Sequence, residues 1–109
     1  MHLEDNHNKI YYHEKSSAYG EFENKVDTLT TGIVNRLDAG NVHIEFPGSN
    51  IEGIMMPYDQ ISTEKYNVGD RLKVYVKKLR ETNYGVQAIV SRADARFVKK
   101  LFEHNYNIK

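Results

Sequence analysis

Between Asn41 and Phe46 apolar and polar residues alternate without a break, with Val42, Ile44 and Phe46 in one set and Asn41, His43 and Glu45 in the other. A period of two puts the apolar set on the buried face of a strand and the polar set on its open face. Upstream, Leu29 to Leu37 is a second apolar and β-branched run, and the two flank Asp38-Ala39-Gly40-Asn41, small and polar residues that tolerate turn geometry. The stretch Thr31–Phe46 therefore predicts a β-hairpin, the element around which the remaining pattern is organised. Gly32 within the first strand marks a bulge or a close backbone approach, either of which lets a short strand curl.

Pro47-Gly48-Ser49-Asn50 reads as a turn, and Ile51 to Met56 as a third strand ended by Pro57. Only scattered apolar residues follow from Pro57 to Gly69, which predicts a connection with one helical turn. From Arg71 to Lys78 the alternation resumes, with Leu72, Val74 and Val76 inward and Arg71, Lys73, Tyr75 and Lys77 outward as a basic stripe holding one aromatic. Asn83 and Gly85 then turn the chain into a fifth strand, Val86 to Val90. Helical stripes flank the strands: Ala18, Phe22 and Val26 at four-residue spacing with Leu29 three further on, and Phe97, Val98, Leu101 and Phe102 after a capping Asp94. The expected fold is mainly β, a five-stranded antiparallel OB-fold barrel with N- and C-terminal helices, divided as 1–26 connector, 27–92 barrel and 93–109 helix. A sandwich or an SH3-like barrel fits the same strand count.

A chain of 109 residues holds one domain with a single core. Its fifteen basic and fifteen acidic residues balance, but unevenly along the chain. Glu21 to Asp70 carries three basic residues against nine acidic, whereas Arg71 to Lys109 carries ten against three. Such asymmetry fits a polyanionic partner or simply a dipolar, salt-soluble surface. The absence of cysteine rules out disulfides and thiolate metal sites and fits a reducing cytoplasm. No apolar run approaches the ~18 to 20 residues that span a bilayer, and no signal-peptide pattern opens the chain, so a cytoplasmic protein without membrane contact is expected.

Little here is arranged for catalysis. His2, His7, His13, His43 and His104 lack metal-ligand spacing, and Gly32, Gly40 and Gly48 are isolated rather than nested before a helix. Asp38, Glu45 and Glu52 read as solvated strand and turn residues, not as an acid–base pair. A non-enzymatic protein without cofactor or metal is expected. Single-stranded nucleic acid suits the pattern better, because barrels of this kind stack bases on exposed side chains and track phosphates with lysine and arginine. The outward face offers Arg36, Asn41, His43, Lys73, Tyr75 and Lys77. Each has a plainer reading: His43 as a solvated strand residue, Tyr75 as packing for lysine stems, and Met56, a soft contact for a base, as core or rim filler.

The stretches TGIVNRLDAGNVHIEF (31–46), EGIMMPYDQ (52–60), YNVGDRLKVYVKKLRET (66–82) and VSRADARFVKKLFE (90–103) resemble the S1 domain of the NusA family of bacterial transcription elongation and termination factors. AYGEF (18–22) resembles the end of the helix that leads into that domain. The resemblance implies an S1-like barrel that contacts single-stranded nascent RNA, next to KH domains and joined to RNA polymerase through the intact factor, with roles in pausing, termination and antitermination. It also implies that the terminal helices are connections to domains outside this chain, and that the barrel itself is a monomer. General S1 domains stack bases on two aromatics of the second strand and its approach; those positions are Gly40 and His43 here, and a histidine common at the end of the third strand is Met56. Arg80 and Arg92 are added as phosphate contacts. The alternative is a non-catalytic interdomain spacer that touches protein partners, motivated by the missing aromatics and the acidic first half. An S1 domain of a ribonuclease or ribosomal protein is disfavoured by the FVKKLFE helix.

Overall fold

Alternation survives in the folded chain, but two inserted residues decide which side chains it turns outward. The computed structural model describes residues 22–107, with side chains up to 103. Five strands form: β1 (Leu29–Asp38), β2 (Asn41–Glu45), β3 (Glu52–Met55), β4 (Arg71–Thr82) and β5 (Gly85–Ser91), followed by α1 (Ala95–Asn107). A short 3-10 turn at Pro57–Asp59 is the helical turn expected between the third and fourth strands. Of the N-terminal stripe Ala18 lies outside the described residues; Phe22 and Glu23 are helical, Val26 falls in the turns that follow, and Leu29 opens β1.

Hydrogen bonding joins the strands in the closed order β1-β2-β3-β5-β4, with β4 returning to β1. The sheet is mixed, because β3 and β5 run parallel and every other pair is antiparallel. This corrects the expectation of an antiparallel barrel, and the reason is parity. Directions that alternate around a ring need an even number of strands, so five strands that close must contain at least one parallel pair. Here the 57–70 connection carries the chain across to β4 beside β1, and the β4–β5 hairpin brings it back alongside β3.

The β1–β2 turn holds Ala39 and Gly40 at φ 55° and 85°, between the paired Asp38 and Asn41. Two successive positive φ values make a type I′ turn, whose twist matches the strands it joins. Gly32 serves a close approach and not a bulge: a Cβ there would lie 2.2 Å from Ile44 Cγ2. The bulge comes three residues later, where register shifts between Val34 and Arg36. Inside the ring Val34, Val42, Ile44, Met55, Val74, Val76, Ala88 and Val90 form the core, and Phe22 packs on Phe46 with ring centroids 4.9 Å apart.

Asp94 caps α1 as expected, its Oδ1 accepting from the Arg96 amide at 2.8 Å. Of the apolar stripe only Phe97 is buried, while Val98 and Phe102 are exposed.

Candidate nucleic-acid interface

The two bulges set the outer face. At Asn35 the parity of β1 switches, so Arg36 stands opposite His43 on the outside while Val34 stays inside against Ile44. At Lys77 the parity of β4 switches, so Lys78 pairs with Ile89, Arg80 with Gln87, and Leu79 turns inward against Ala88. The strand also runs four residues past its expected end at Lys78, which makes Arg80 a strand residue.

Register and side-chain contacts then draw one polar row across all five strands. Arg36 Nη2 on β1 and Glu52 Oε2 on β3 each lie 3.3 Å from His43 Nδ1 on β2. Gln87 Nε2 on β5 donates to Glu52 Oε1 at 3.3 Å, and Arg80 on β4 donates to Gln87 Oε1 through Nε at 3.0 Å and Nη2 at 2.9 Å. Arg36, His43, Glu52 and Gln87 of this row line a cleft of about 390 Å³ together with Asn50 and with Thr82, Tyr84, Gly85 and Val86 of the β4–β5 hairpin, while Arg80 reaches it only through its bonds to Gln87. His43 is only 6% exposed, so it is not the solvated strand residue of the plainer reading. Tyr84 is 100% exposed at the hairpin tip. A larger cleft, about 510 Å³, lies between Phe22, Thr31, Phe46 and Arg71, but its aromatics are buried in the core and offer no stacking surface.

Three predicted residues are not at this face. Tyr75 is 1% exposed, and its hydroxyl donates to Asp27 Oδ1 at 2.5 Å while the Arg96 guanidinium lies 5.1 Å from its ring. Burial first, and the Asp27 carboxylate second, push its phenol up to about 12. The turn at Asp27 and α1 cover this part of the outer face, which alternation within β4 could not disclose. Lys77 is the bulge residue; its Nζ sits 3.1 and 3.2 Å from the carboxylate oxygens of the buried Asp59. Arg92 donates through Nε and Nη2 to Glu64, both at 2.8 Å, and through Nη1 to the Lys73 carbonyl. This bond to Arg92 holds the Glu64 carboxyl below its ordinary range and raises the guanidinium in turn. Both cations pin the 57–70 connection to the sheet.

The others are placed as follows. Arg36, His43 and Arg80 share the polar row, and Lys73 is exposed further along β4. Asn41 is half-buried at the β1–β2 turn, where Gln60 Nε2 donates to the Gly40 carbonyl at 2.7 Å. Met56 is half-buried where the chain enters the 3-10 turn. Tyr84, Glu52 and Gln87 were not among the predicted residues. An aromatic between the turn residues Asn83 and Gly85 was the available signal for Tyr84; nothing in sequence tied Glu52 to Gln87, which lie 35 positions apart. Among the described residues no group of three or more His, Asp or Glu side chains could hold a metal, and no helix is long and apolar enough to cross a membrane.

No protein-family model matches the chain. Over 90 residues, 83% of its length, it is 36% identical to the transcription termination/antitermination protein NusA of Bacillus subtilis, and over 92 residues 39% identical to that of Thermus thermophilus. NusA of Rickettsia conorii is 30% identical over 90 residues. The matched segments are 24%, 22% and 18% of those proteins, so the chain is homologous to a segment of NusA and spans about a quarter or less of its length. Two solved structures share the fold. An uncharacterized protein from Methanocaldococcus jannaschii superposes with a TM-score of 0.51 at 21% identity, covering 62% of this chain and 90% of its own. A multidomain protein with nucleic acid binding domains from Streptococcus pneumoniae superposes with a TM-score of 0.53 at 20% identity, covering 75% of this chain and 30% of its own.

Proposed function

We infer that this chain is the S1-type OB domain of a NusA-type transcription factor and that it contacts single-stranded nascent RNA through the outer face of β1, β2 and β3 with the β4–β5 hairpin. One observation carries the reading: Arg36 and His43 meet an exposed Tyr84 at a single cleft, with Arg80 bonded to Gln87 on its lining, which joins cations for phosphates to an aromatic surface for a base. The strand 2–3 face and the loops between strands 1–2 and 4–5 are where OB folds bind oligonucleotides. Pausing, termination and antitermination belong to the intact factor, as do its contacts with RNA polymerase and KH domains. This domain adds RNA contact, not covalent chemistry, and acts as a monomer.

The test is a titration of the 109-residue chain with a single-stranded RNA hexamer at low salt, followed by amide NMR. Shifts are expected at Arg36, His43, Arg80, Tyr84 and Gln87, and binding should weaken with salt by a slope of about −0.7 per phosphate neutralised. Absence of any RNA-dependent shift at these positions would remove the reading. The exposed Val98 and Phe102 of α1 favour a second reading, an interdomain spacer whose main contacts are with protein. It predicts that changes in α1, and not in the cleft, disturb the intact factor.

A further inference from the structure

Glu52 is an unexpected residue at the centre of a face that takes RNA. Its carboxylate repels phosphates, so its presence needs a reason that lies either in the fold or in the ligand. The fold supplies a weak one. Its neighbours stand at 3.3 Å (His43), 3.3 Å (Gln87) and 3.8 Å (Arg36), whereas charge-assisted bonds close to about 2.7–2.9 Å. Glu64 in the same molecule shows such a closed pair, with Arg92 at 2.8 Å on both oxygens. The Glu52 side chain is 36% exposed toward the cleft, so its oxygens keep acceptor capacity.

We propose that Glu52 reads the base held in this cleft, accepting from an exocyclic amino group and so favouring cytosine over uracil. The proposal rests on the RNA-binding reading above. A nucleotide entering beside Tyr84 stacks its base on the ring, while its phosphate lies toward the exposed Arg36 guanidinium. Gln87, fixed by Arg80 through its carbonyl oxygen, turns its Nε2 to Glu52 and holds the carboxylate toward the cleft. Cytosine then presents its N4 amino group as a donor to Glu52. Uracil presents O4 in the same place, and two sets of lone pairs face each other. The cleft, about 390 Å³, lies in the range of roughly 300–1,000 Å³ typical of small-molecule sites, which leaves room for one base and its sugar. An acidic residue that lowers general affinity while rejecting the wrong base is a normal way to obtain selectivity.

The experiment compares binding of the 109-residue chain to oligocytidine and oligouridine hexamers at fixed low salt, with the wild type and Glu52→Gln, and to a hexamer of N4,N4-dimethylcytidine. Wild type should bind oligocytidine about five-fold tighter than oligouridine, the low end for one base contact. Glu52→Gln should reduce that ratio below about two-fold without weakening oligouridine, because the repelling charge is gone. Dimethylation removes both amino hydrogens, and on wild-type protein it should cancel the preference whatever the variant's folding. Equal binding of the two hexamers by wild type overturns the assignment and leaves RNA binding intact. So does a Glu52→Gln variant that weakens both hexamers equally, which marks Glu52 as a support for Arg36 and His43. Binding of neither hexamer fails the RNA-binding reading itself, and the inference with it.

Discussion

The molecule holds its charges in two ways. Under the 57–70 connection they are closed: Glu64 takes two bonds from Arg92 and one from Tyr66, all at 2.8 Å, and the buried Asp59 takes Lys77 at 3.1 Å. Across the outer face the contacts of Glu52 are open, at 3.3 to 3.8 Å, and they border a cleft. The first arrangement holds a loop, since a desolvated pair with good geometry is costly to break. The second leaves N–H groups and oxygens with spare capacity, as a surface that binds a charged ligand requires. A basic residue is therefore available to the proposed RNA face according to how tightly it is already bonded elsewhere, and sequence cannot report that.

The closed cluster depends most on Arg92. Arg92→Ala should lower unfolding stability by about 2–3 kcal/mol in urea denaturation, the range for losing charged hydrogen bonds and leaving the half-buried Glu64 with the Tyr66 hydroxyl but no cation. A loss under about 0.5 kcal/mol, typical of neutral surface positions, would show that this cluster is no tighter than the outer row.

Arg80→Gln tests the open side. It should weaken single-stranded RNA by about 1 kcal/mol and flatten the salt slope by about one unit, with stability inside about 0.5 kcal/mol of wild type. Lys77→Gln should do the reverse, costing stability through Asp59 and leaving the salt slope unchanged. Equal salt effects from both variants would erase the distinction.

Tyr75→Phe removes the hydroxyl that closes on Asp27, outside the 57–70 cluster, and should cost about 1 kcal/mol. Its phenol sits near 12 in the folded chain against an ordinary 10, so the folded state prefers the neutral form. That contribution is complete below pH 10 and disappears as pH rises through 12, and the phenylalanine variant should lack this alkaline step in melting temperature.

The acid side has the opposite sign and the smallest effect. Glu64 lies below its ordinary 4.5 through Arg92, and Asp94 is held at about 2, chiefly by the Arg96 guanidinium. Their contribution is present above the ordinary carboxylate range and is lost as pH falls from about 4.5 toward 2, which thermal melts across that interval would record. Arg92→Ala should remove most of the Glu64 share of the drop, the Tyr66 hydroxyl keeping the rest, and leave that of Asp94.

Much of the fold was legible. The Val42, Ile44, Phe46 alternation, the Asp38–Asn41 turn and the Asp94 cap are local events, set by residues within a few positions of one another, and each stands in the structure. The outer face was legible only in part. Arg36 lies on it as expected, and Arg80, read as a loop residue, joins it because β4 runs on; the bulge at Lys77 has no marker in sequence, so straight alternation placed Lys77 on an open stripe, and nothing local showed that Asp27 and α1 cover Tyr75. Tyr84 went unselected because a tyrosine in a turn says nothing until the turn is seen to border a cleft.

By itself, then, the sequence determined the strands, their turns and the homology to a segment of NusA, all of which depend on local periodicity and matched residues. Tertiary structure alone decided that the ring closes through the parallel β3–β5 pair, that Tyr75 lies under Asp27 and α1, and that Lys77 and Arg92 are spent on a loop. The reason is distance along the chain: the partners that bury or neutralise a side chain here lie 18 to 48 residues away, where periodicity carries no information.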